Sequence, residues 1–153
     1  MADAALVAGN YPKYYNKVYK KVAKFPASTG AGALGADTNG VLIHTFTNDG
    51  FVASVKVSSS DTANNGVFLY VKDGTDIMPE GSVSVPLSSG NTASVAVVDG
   101  LANAGVSSRG DWFDINGKRV IPCEGGQDFK ASLITALGAG EEVYVTCVIF
   151  EAE

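Results

Sequence analysis

The chain has 153 residues, including 18 glycines, and carries a formal net charge of −5 with 18% charged residues. This length allows one domain with a substantial core and is too short for two ordinary domains. The composition excludes a disordered or collagen-like chain, and no apolar run approaches the roughly 20 residues that span a bilayer, so we expect a compact protein without a membrane segment.

The N-terminal segment is rich in lysine and tyrosine and predicts an arm over residues 1–26. Five lysines against one acid leave a charge of about +4 in this segment, so from a total of −5 the rest of the chain carries about −9. Tyr15, Val18, Tyr19 and Val22 have the spacing of a short amphipathic helix, which is marginal in isolation. We therefore expect an extended or short helical arm that becomes ordered on a partner.

The composition of the arm favours docking on a protein. Its lysines can pair with carboxylates or phosphates, and its tyrosines offer amphipathic rings to an interface. The arm contains no arginine, which dominates base readout and bidentate phosphate contact, so nucleic acid is a disfavoured partner. A solvated tail is the remaining alternative. The residues predicted to bind the partner are Tyr11, Lys13, Tyr14, Tyr15, Lys17, Tyr19, Lys20, Lys21 and Lys24.

Residues 27–39 are small, polar and interrupted by glycine. This composition predicts a flexible connector between the arm and the body of the protein. The stretch from Gly30 to Gly35 imitates the dinucleotide-binding GxGxxG motif. No strand and helix flank it as that site requires, so we interpret the match as coincidental.

Residues 40–153 alternate between apolar and polar side chains in short runs that are separated by Gly, Asn and Asp. This pattern predicts an all-β domain, an antiparallel, jelly-roll-like β-sandwich of about eight strands. The predicted strands are 41–47, 51–58, 66–72, 82–85, 92–98, 112–115, 119–121 and 142–150.

Three places in this body need a closer interpretation. Asn116 and Gly117 predict a two-residue type I′ turn in a hairpin. Residues 128–138 fit a helix capped by Asp128 or a strand, and we favour the strand. The run 143–150 is apolar on both faces, which is typical of a central strand or of one that lines a subunit contact.

Catalytic chemistry has little support in the sequence. His44 is the one histidine, and alternation places it on the face of Leu42 and Phe46, where a packed residue is favoured over a catalyst. No second histidine supports a zinc site, and no nucleophile motif supports a hydrolase triad. Cys123 and Cys147 lie in no CxxC pair, so we expect two buried thiols, with a disulfide as the alternative.

Several acidic pairs could in principle serve a glycosidase or hold Ca²⁺. They lie at turns or strand ends, where acids usually bind their own backbone, so the structural role is favoured. The prediction is a protein that is not an enzyme and that holds no cofactor or metal. The candidates are Asp111 with Asp114, Asp73 with Asp76, Glu141 with Glu142, and Asp61 within the loop that ends at Gly66.

Trp112 is a candidate for stacking on a glycan. It stands beside Phe113 and near Arg109 and Asp111, and an aromatic face with adjacent polar groups suits a sugar ring. Packing of Trp112 in the core or in the hairpin is the favoured alternative.

Three stretches of the body carry a resemblance. They are Gly40-Val-Leu-Ile-His-Thr-Phe-Thr-Asn-Asp-Gly50, Gly66-Val-Phe-Leu-Tyr-Val-Lys-Asp-Gly74, and Gly138-Ala-Gly-Glu-Glu-Val-Tyr-Val145. In this order, with the alternating run 51–57 after the first, they resemble small β-sandwich virion proteins of tailed bacteriophages, which decorate the capsid or form head or tail appendages. The resemblance covers residues 40–151, and the arm is not part of it.

The resemblance implies a non-enzymatic structural protein of a bacteriophage virion, a capsid decoration or accessory protein. It implies a homo-oligomer, with a trimer favoured, on the virion surface after synthesis in the host cytoplasm. The expected partner of the arm is the major capsid protein or another virion lattice protein. A fibre head or carbohydrate-binding module for attachment to the host surface is the alternative.

Overall fold

The computed structural model describes residues 17–92, 94–103 and 110–153. These residues form ten strands and one helical turn, joined by short turns and one longer segment. The elements are β1 Lys17–Phe25, β2 Val41–Thr45, β3 Gly50–Ser59, β4 Asn65–Asp73, β5 Asp76–Val85, β6 Val98–Asp99, α1 Gly100–Asn103, β7 Trp112–Phe113, β8 Arg119–Cys123, β9 Asp128–Leu133 and β10 Val143–Glu151.

The strands form two antiparallel sheets. The first has the order β1-β10-β3-β8-β7, with β6 also paired to β3, and the second has the order β2-β9-β4-β5. The pairing of the longer strands is nested, because β1 pairs with β10, β2 with β9, β3 with β8 and β4 with β5. This is the arrangement of a double-sheet jelly roll. The predicted all-β, jelly-roll-like sandwich is confirmed.

The core lies between the sheets and follows from the alternation of side chains along each strand. In the second sheet, Val67 and Leu69 of β4 are fully buried, and in the first sheet Val145, Cys147 and Ile149 of β10 are. Both cysteines are free thiols, as predicted. Burial raises the pKa of the Cys147 thiol to about 12.

The described part of the predicted arm is extended and belongs to the sandwich. The whole of β1 pairs with β10, and Ala23 and Phe25 lie in the core. The helical alternative is therefore wrong from Lys17 onward, and the chain enters the domain well before the boundary predicted at residue 26. The sequence fits a period of two as well as it fits a helix, and the ladder to β10 decides in favour of the strand.

Two details of the body differ from the prediction. The described residues of the predicted strand 92–98 do not form a regular strand, since one isolated bridge joins Thr92 to Val95 and regular pairing begins only with β6. The β7–β8 hairpin has no type I′ turn. The Asp114 amide donates to the Lys118 carbonyl at 2.8 Å, and Gly117 alone in this loop has a positive φ, of 76°. The loop is a type I turn followed by a left-handed glycine.

Candidate functional site

Part of the outer face of the second sheet, over β4 and β9, is covered by the protein's own chain. Residues 26–40, here called the covering segment, include the predicted connector. Within it, the Gly32 amide donates to the Leu133 carbonyl at 2.8 Å, and the Leu137 amide donates to the Thr29 carbonyl at 2.9 Å. The segment is therefore fixed along the sheet, and the prediction of a flexible connector is wrong.

Asp37 is the polar anchor of the covering segment. Its carboxylate accepts a hydrogen bond from the Tyr70 hydroxyl at 2.6 Å and contacts the ammonium groups of Lys72 at 2.9 Å and Lys130 at 2.6 Å. Burial alone would raise the pKa of Asp37, but the hydrogen bonds from Lys130, Tyr70 and Lys72 together lower it well below its usual range. Burial and the bond to Asp37 raise the pKa of Tyr70. This cluster ties one loop residue to two strands.

The covering segment also approaches the sheet very closely at two glycines. A Cβ at Gly40 would collide with the Tyr70 hydroxyl, and one at Gly32 would collide with the Ser132 side chain. Tyr70 is 1% exposed and Ser132 is fully buried, although both are on the outer face of their strands. Tyr70 and Ser132 are therefore closed off from solvent and cannot contact a ligand or a partner there.

The outer face of the first sheet has no such cover in the described part of the chain. Val18 of β1 is 52% exposed and Val22 is 64% exposed. Register places Val18 beside Phe150, whose ring stacks on Phe51 with centroids 5.2 Å apart. Val148 lies on the same face. We call this surface the open face; it exposes Val18 and Val22, with the exposed Lys20 between them on the same side of β1, and such a mixed surface is suited to a protein partner.

Strand β1 is also an edge of the first sheet. One side of β1 pairs with β10, and among the described residues no strand pairs with its other side. The edge carries four lysines, and we call it the basic edge: Lys17, Lys20, Lys21 and Lys24.

The predicted partner-binding residues divide between this edge and the part of the chain that is not described. Tyr11, Lys13, Tyr14 and Tyr15 lie outside the described residues. Lys17 and Lys20 are exposed, whereas Tyr19 and Lys21 are half-buried at the rim of the sandwich. The Lys21 ammonium lies 5.4 Å from the centre of the Tyr19 ring, and the Lys24 ammonium contacts Glu142 at 2.6 Å. This contact lowers the pKa of Glu142 and raises that of Lys24.

His44 is a packed residue that joins the two sheets. Its Nε2 lies 3.0 Å from the Glu151 carboxylate, and its ring contacts those of Tyr19 and Phe46. The prediction that Leu42 shares a face with His44 is wrong. A register shift between these two residues of β2 turns the Leu42 side chain outward, while His44 stays buried.

Glu151 is the residue that sequence reasoning missed. It is 1% exposed, and its other oxygen accepts the Thr47 and Asn48 amides, each at 2.6 Å. Burial alone would raise the pKa of Glu151, but the bonds from Asn48, His44 and Thr47 together lower it. The carboxylate therefore fixes the β2–β3 loop. No local sequence signal could have found a pair of residues 107 positions apart.

The predicted acidic candidates other than the exposed Asp76 bind their surroundings as structural groups. Asp111 pairs with Arg119 at 2.9 Å, and Asp114 accepts the amides of Asn116 and Lys118. Asp73 accepts a bond from Gln127, Asp61 accepts the Ala63 amide and the Asn65 side chain, and Glu141 accepts bonds from Thr62 and Gly138. Within the described residues, no group of three or more His, Cys, Asp or Glu is arranged to hold a metal.

Trp112 is 53% exposed, so of the two places predicted for its packing, the core or the hairpin, the core is excluded and the residue lies in the β7–β8 hairpin. Its strand partner is Val120. The neighbouring Phe113 is 61% exposed and lines a cleft of about 680 Å³ that Trp112 does not line. Arg109 lies outside the described residues. No helix in the described part of the chain is long and apolar enough to cross a membrane.

Comparison with known proteins finds one weak structural similarity. No protein-family model and no curated protein sequence matches the chain. Among solved structures, a chain from the structure of infectious bursal disease virus Gt strain is similar, with 12% identity and a TM-score of 0.25. The match covers 89% of this chain and 37% of that one. A likeness at this level carries no argument about fold or function.

Proposed function

We propose that the chain is a non-enzymatic structural protein of a bacteriophage virion. In this proposal it is a capsid decoration or accessory protein on the virion surface, it forms a homo-oligomer with a trimer favoured, and it docks on a shell protein. Jelly rolls occur in viral capsid proteins, in lectins and in cupins, so the fold alone does not choose among them. The resemblance in residues 40–151 supports the phage class.

The observation that carries the proposal is the basic edge. Among the described residues no strand pairs with the outer side of β1, so its backbone is a template for an added strand. Pairing of β1 with a second β1 would bring lysines close to lysines, which is unfavourable across a ladder. The edge therefore selects an acidic, extended segment, and we assign that segment to the major capsid protein or another lattice protein.

The open face is assigned to the homo-oligomer. A strand added at the basic edge extends the first sheet sideways and leaves its outer face available. Val18, Val22 and Phe150 offer apolar surface on that face, with Lys20 between the two valines, and burial of the apolar part favours association by about 25 cal/mol per Å². A second copy of the chain, which offers the same surface, is the occupant that the symmetry of homo-oligomers favours.

The docking is tested by co-sedimentation of the full chain with empty shells assembled from the major capsid protein of the same phage. The variant carries Lys17→Glu and Lys20→Glu, and its matched control carries Lys17→Arg and Lys20→Arg, which keep the charge. We expect the Glu variant to stay in the supernatant and the Arg variant to sediment with the shells. Wild-type binding should weaken with added salt, because exposed charges are screened.

Full sedimentation of the Glu variant would overturn the role of the basic edge. The oligomer is tested separately by light scattering during size exclusion, for the full chain and for a chain that starts at Lys17. A chain that starts after Phe25 would lack β1, and its core would be exposed. Its behaviour would therefore report the damage to the fold and not the role of the residues before β1. A trimer in both chains supports the proposal, and a monomer in both contradicts it.

A further inference from the structure

The proposed trimer needs a second contact surface besides the part of the open face on β1. A patch that binds the same patch on another copy closes a dimer, whereas a ring of three closes when one patch binds a different patch on the next copy. Contact of the open face with itself around Val18 and Val22 would also bring Lys20 of one copy close to Lys20 of the other, which is unfavourable. The open face therefore favours a different patch on the neighbouring copy.

The tip of the β7–β8 hairpin offers such a patch. Trp112 is 53% exposed, and Ile115, at 73%, is the most exposed of the large apolar side chains in the described part of the chain. Asp114 lies between them in the sequence. Tryptophan is enriched among the residues that contribute most to the affinity of protein interfaces. We call Trp112, Asp114 and Ile115 the hairpin patch.

The hairpin patch and β1 lie at opposite ends of the first sheet. Trp112 is paired with Val120, and the side chains of directly paired residues share a face. Val120 packs with Phe51 and Phe150 on the outer side of the sheet, and Phe150 is paired with Val18. Trp112 and Val18 therefore stand at the two ends of one outer face, where each copy can bind the next in the same sense.

The charges of the two patches are complementary. Lys20 is exposed between two valines of β1, and Asp114 lies between two exposed apolar residues of the hairpin. The loop holds the carboxylate in place, because one of its oxygens accepts the amides of Asn116 and Lys118 at 2.8 and 2.9 Å. A lysine and a carboxylate brought together at an apolar contact add specificity more than affinity.

We propose that the hairpin patch of one copy binds the open face of the next copy at Val18 and Val22, with Lys20 beside Asp114. Three such contacts, made in the same sense, close a ring. The contact lies on the face of β1 and leaves the outer edge of this strand to the shell protein. The inference rests on the homo-oligomer proposed above and identifies the surface that the second copy contributes.

The first test is the mass of full-length variants, measured by light scattering during size exclusion. The hairpin variant carries Trp112→Thr and Ile115→Thr, and we expect it to be a monomer where the wild type is a trimer. Phe113→Thr is the matched control and should stay a trimer, because Phe113 is also exposed but successive side chains of a strand point to opposite faces. Melting temperatures near that of the wild type confirm that the variants are folded.

The second test mixes two monomeric variants to find which patches meet. The hairpin variant keeps its valines, and the variant with Val18→Thr and Val22→Thr keeps its hairpin patch. When the unlabelled valine variant is added to the isotope-labelled hairpin variant, we expect NMR shifts at the β1 amides and millimolar or tighter binding. The unlabelled hairpin variant added in the same way should cause no shifts, because neither copy then has a hairpin patch.

Four results, each with a trimeric wild type, would overturn this inference and leave the proposed homo-oligomer standing. They are a trimeric hairpin variant, an equal loss of the trimer in Phe113→Thr, the absence of β1 shifts in the mixture, and β1 shifts when the hairpin variant is added to itself. A dimeric wild type would keep the homo-oligomer but exclude the ring. A monomeric wild type would contradict the homo-oligomer itself.

Discussion

The two sheets of the sandwich differ in what lies on their outer faces. The second sheet has residues 26–40 across it, with Asp37 joined to Tyr70, Lys72 and Lys130. The first sheet carries exposed valines on β1 and a stacked pair of phenylalanines. The chain thus covers one face itself and leaves the other to solvent in the described residues.

The difference teaches where a partner can bind without disturbing the fold. On the covered face, polar side chains are enclosed, so their hydrogen bonds must be made within the chain. On the open face, apolar side chains already stand in water, so a partner gains by burying them. Substitutions on the two faces should therefore have different consequences. Those on the covered face should lower the stability of the fold, and those on the open face should weaken association.

The largest effect is expected from Asp37→Ala. It removes the acceptor from the Tyr70 hydroxyl and leaves the ammonium groups of Lys72 and Lys130 facing each other. We expect the free energy of unfolding to fall by roughly 2 to 3 kcal/mol, the scale for hydrogen bonds to charged groups. Urea unfolding at fixed protein concentration measures it. Asp76→Ala, which removes an exposed acid, is the control and should change stability by less than about 0.5 kcal/mol. Equal, small changes in both variants would contradict the anchoring role of Asp37.

The next effect comes from the close approach at Gly40. In Gly40→Ala the new methyl group meets the Tyr70 hydroxyl, and we expect a loss of about 2 kcal/mol, as for overpacking. Adding Tyr70→Phe removes the nearer of the two colliding atoms and leaves the Asp37 carboxylate oxygen at 2.6 Å, so the double variant should be more stable than the sum of the two changes indicates. Gly138→Ala is a milder comparison, because its methyl group would meet the exposed carboxylate of Glu141, which can shift at the cost of its bonds to Thr62 and Gly138. Strict additivity in the double variant would argue against the collision.

A smaller effect appears in the pH dependence of stability. The pKa values of Asp37 and Glu151 are lowered in the folded protein, so each carboxylate contributes stability that is present above about pH 4, near its ordinary value. That contribution is lost as the pH falls towards the lowered pKa. Unfolding free energies measured from neutral to acidic pH should fall for the wild type, and less steeply for Asp37→Ala. Asp76→Ala should follow the wild-type curve, and a parallel curve for Asp37→Ala would contradict the assignment.

Much of the fold could be predicted because its strands alternate. The predicted strand 51–58 is nearly the observed β3, and 142–150 is nearly β10. The one histidine was correctly expected to be packed. These features are local, since side-chain alternation depends only on neighbouring residues.

The elements that were missed depend on distant partners. Residues 17–25 fit two periods, and only the presence of β10 more than a hundred positions away makes them a strand. The covering segment resembles a linker in composition, and its anchor, Asp37, binds residues 33 and 93 positions further on. The lysines predicted to bind a partner lie on β1 and are exposed or at the rim, and their place on a sheet edge could not be read from the sequence of the arm alone.

The smallest change in stability is expected on the open face, from Val18→Thr combined with Val22→Thr. Threonine keeps the β-branched shape that suits a strand, and both sites are more than half exposed, so we expect unfolding of the dilute protein to change by less than about 0.5 kcal/mol. The mass measured by light scattering should nevertheless fall from oligomer to monomer, because the variant replaces apolar contact surface by hydroxyls.

Leu34→Thr is the matched control, since Leu34 is 53% exposed but belongs to the covering segment. If this variant also loses its oligomer, the association depends on exposed apolar surface in general and the two faces do not differ in the way proposed. If neither variant changes mass, the open face is not the contact between copies. The two faces differ as proposed only if the oligomer is lost in the variant with Val18→Thr and Val22→Thr and kept in Leu34→Thr. That result would show that another copy binds the open face and does not bind the face under the covering segment.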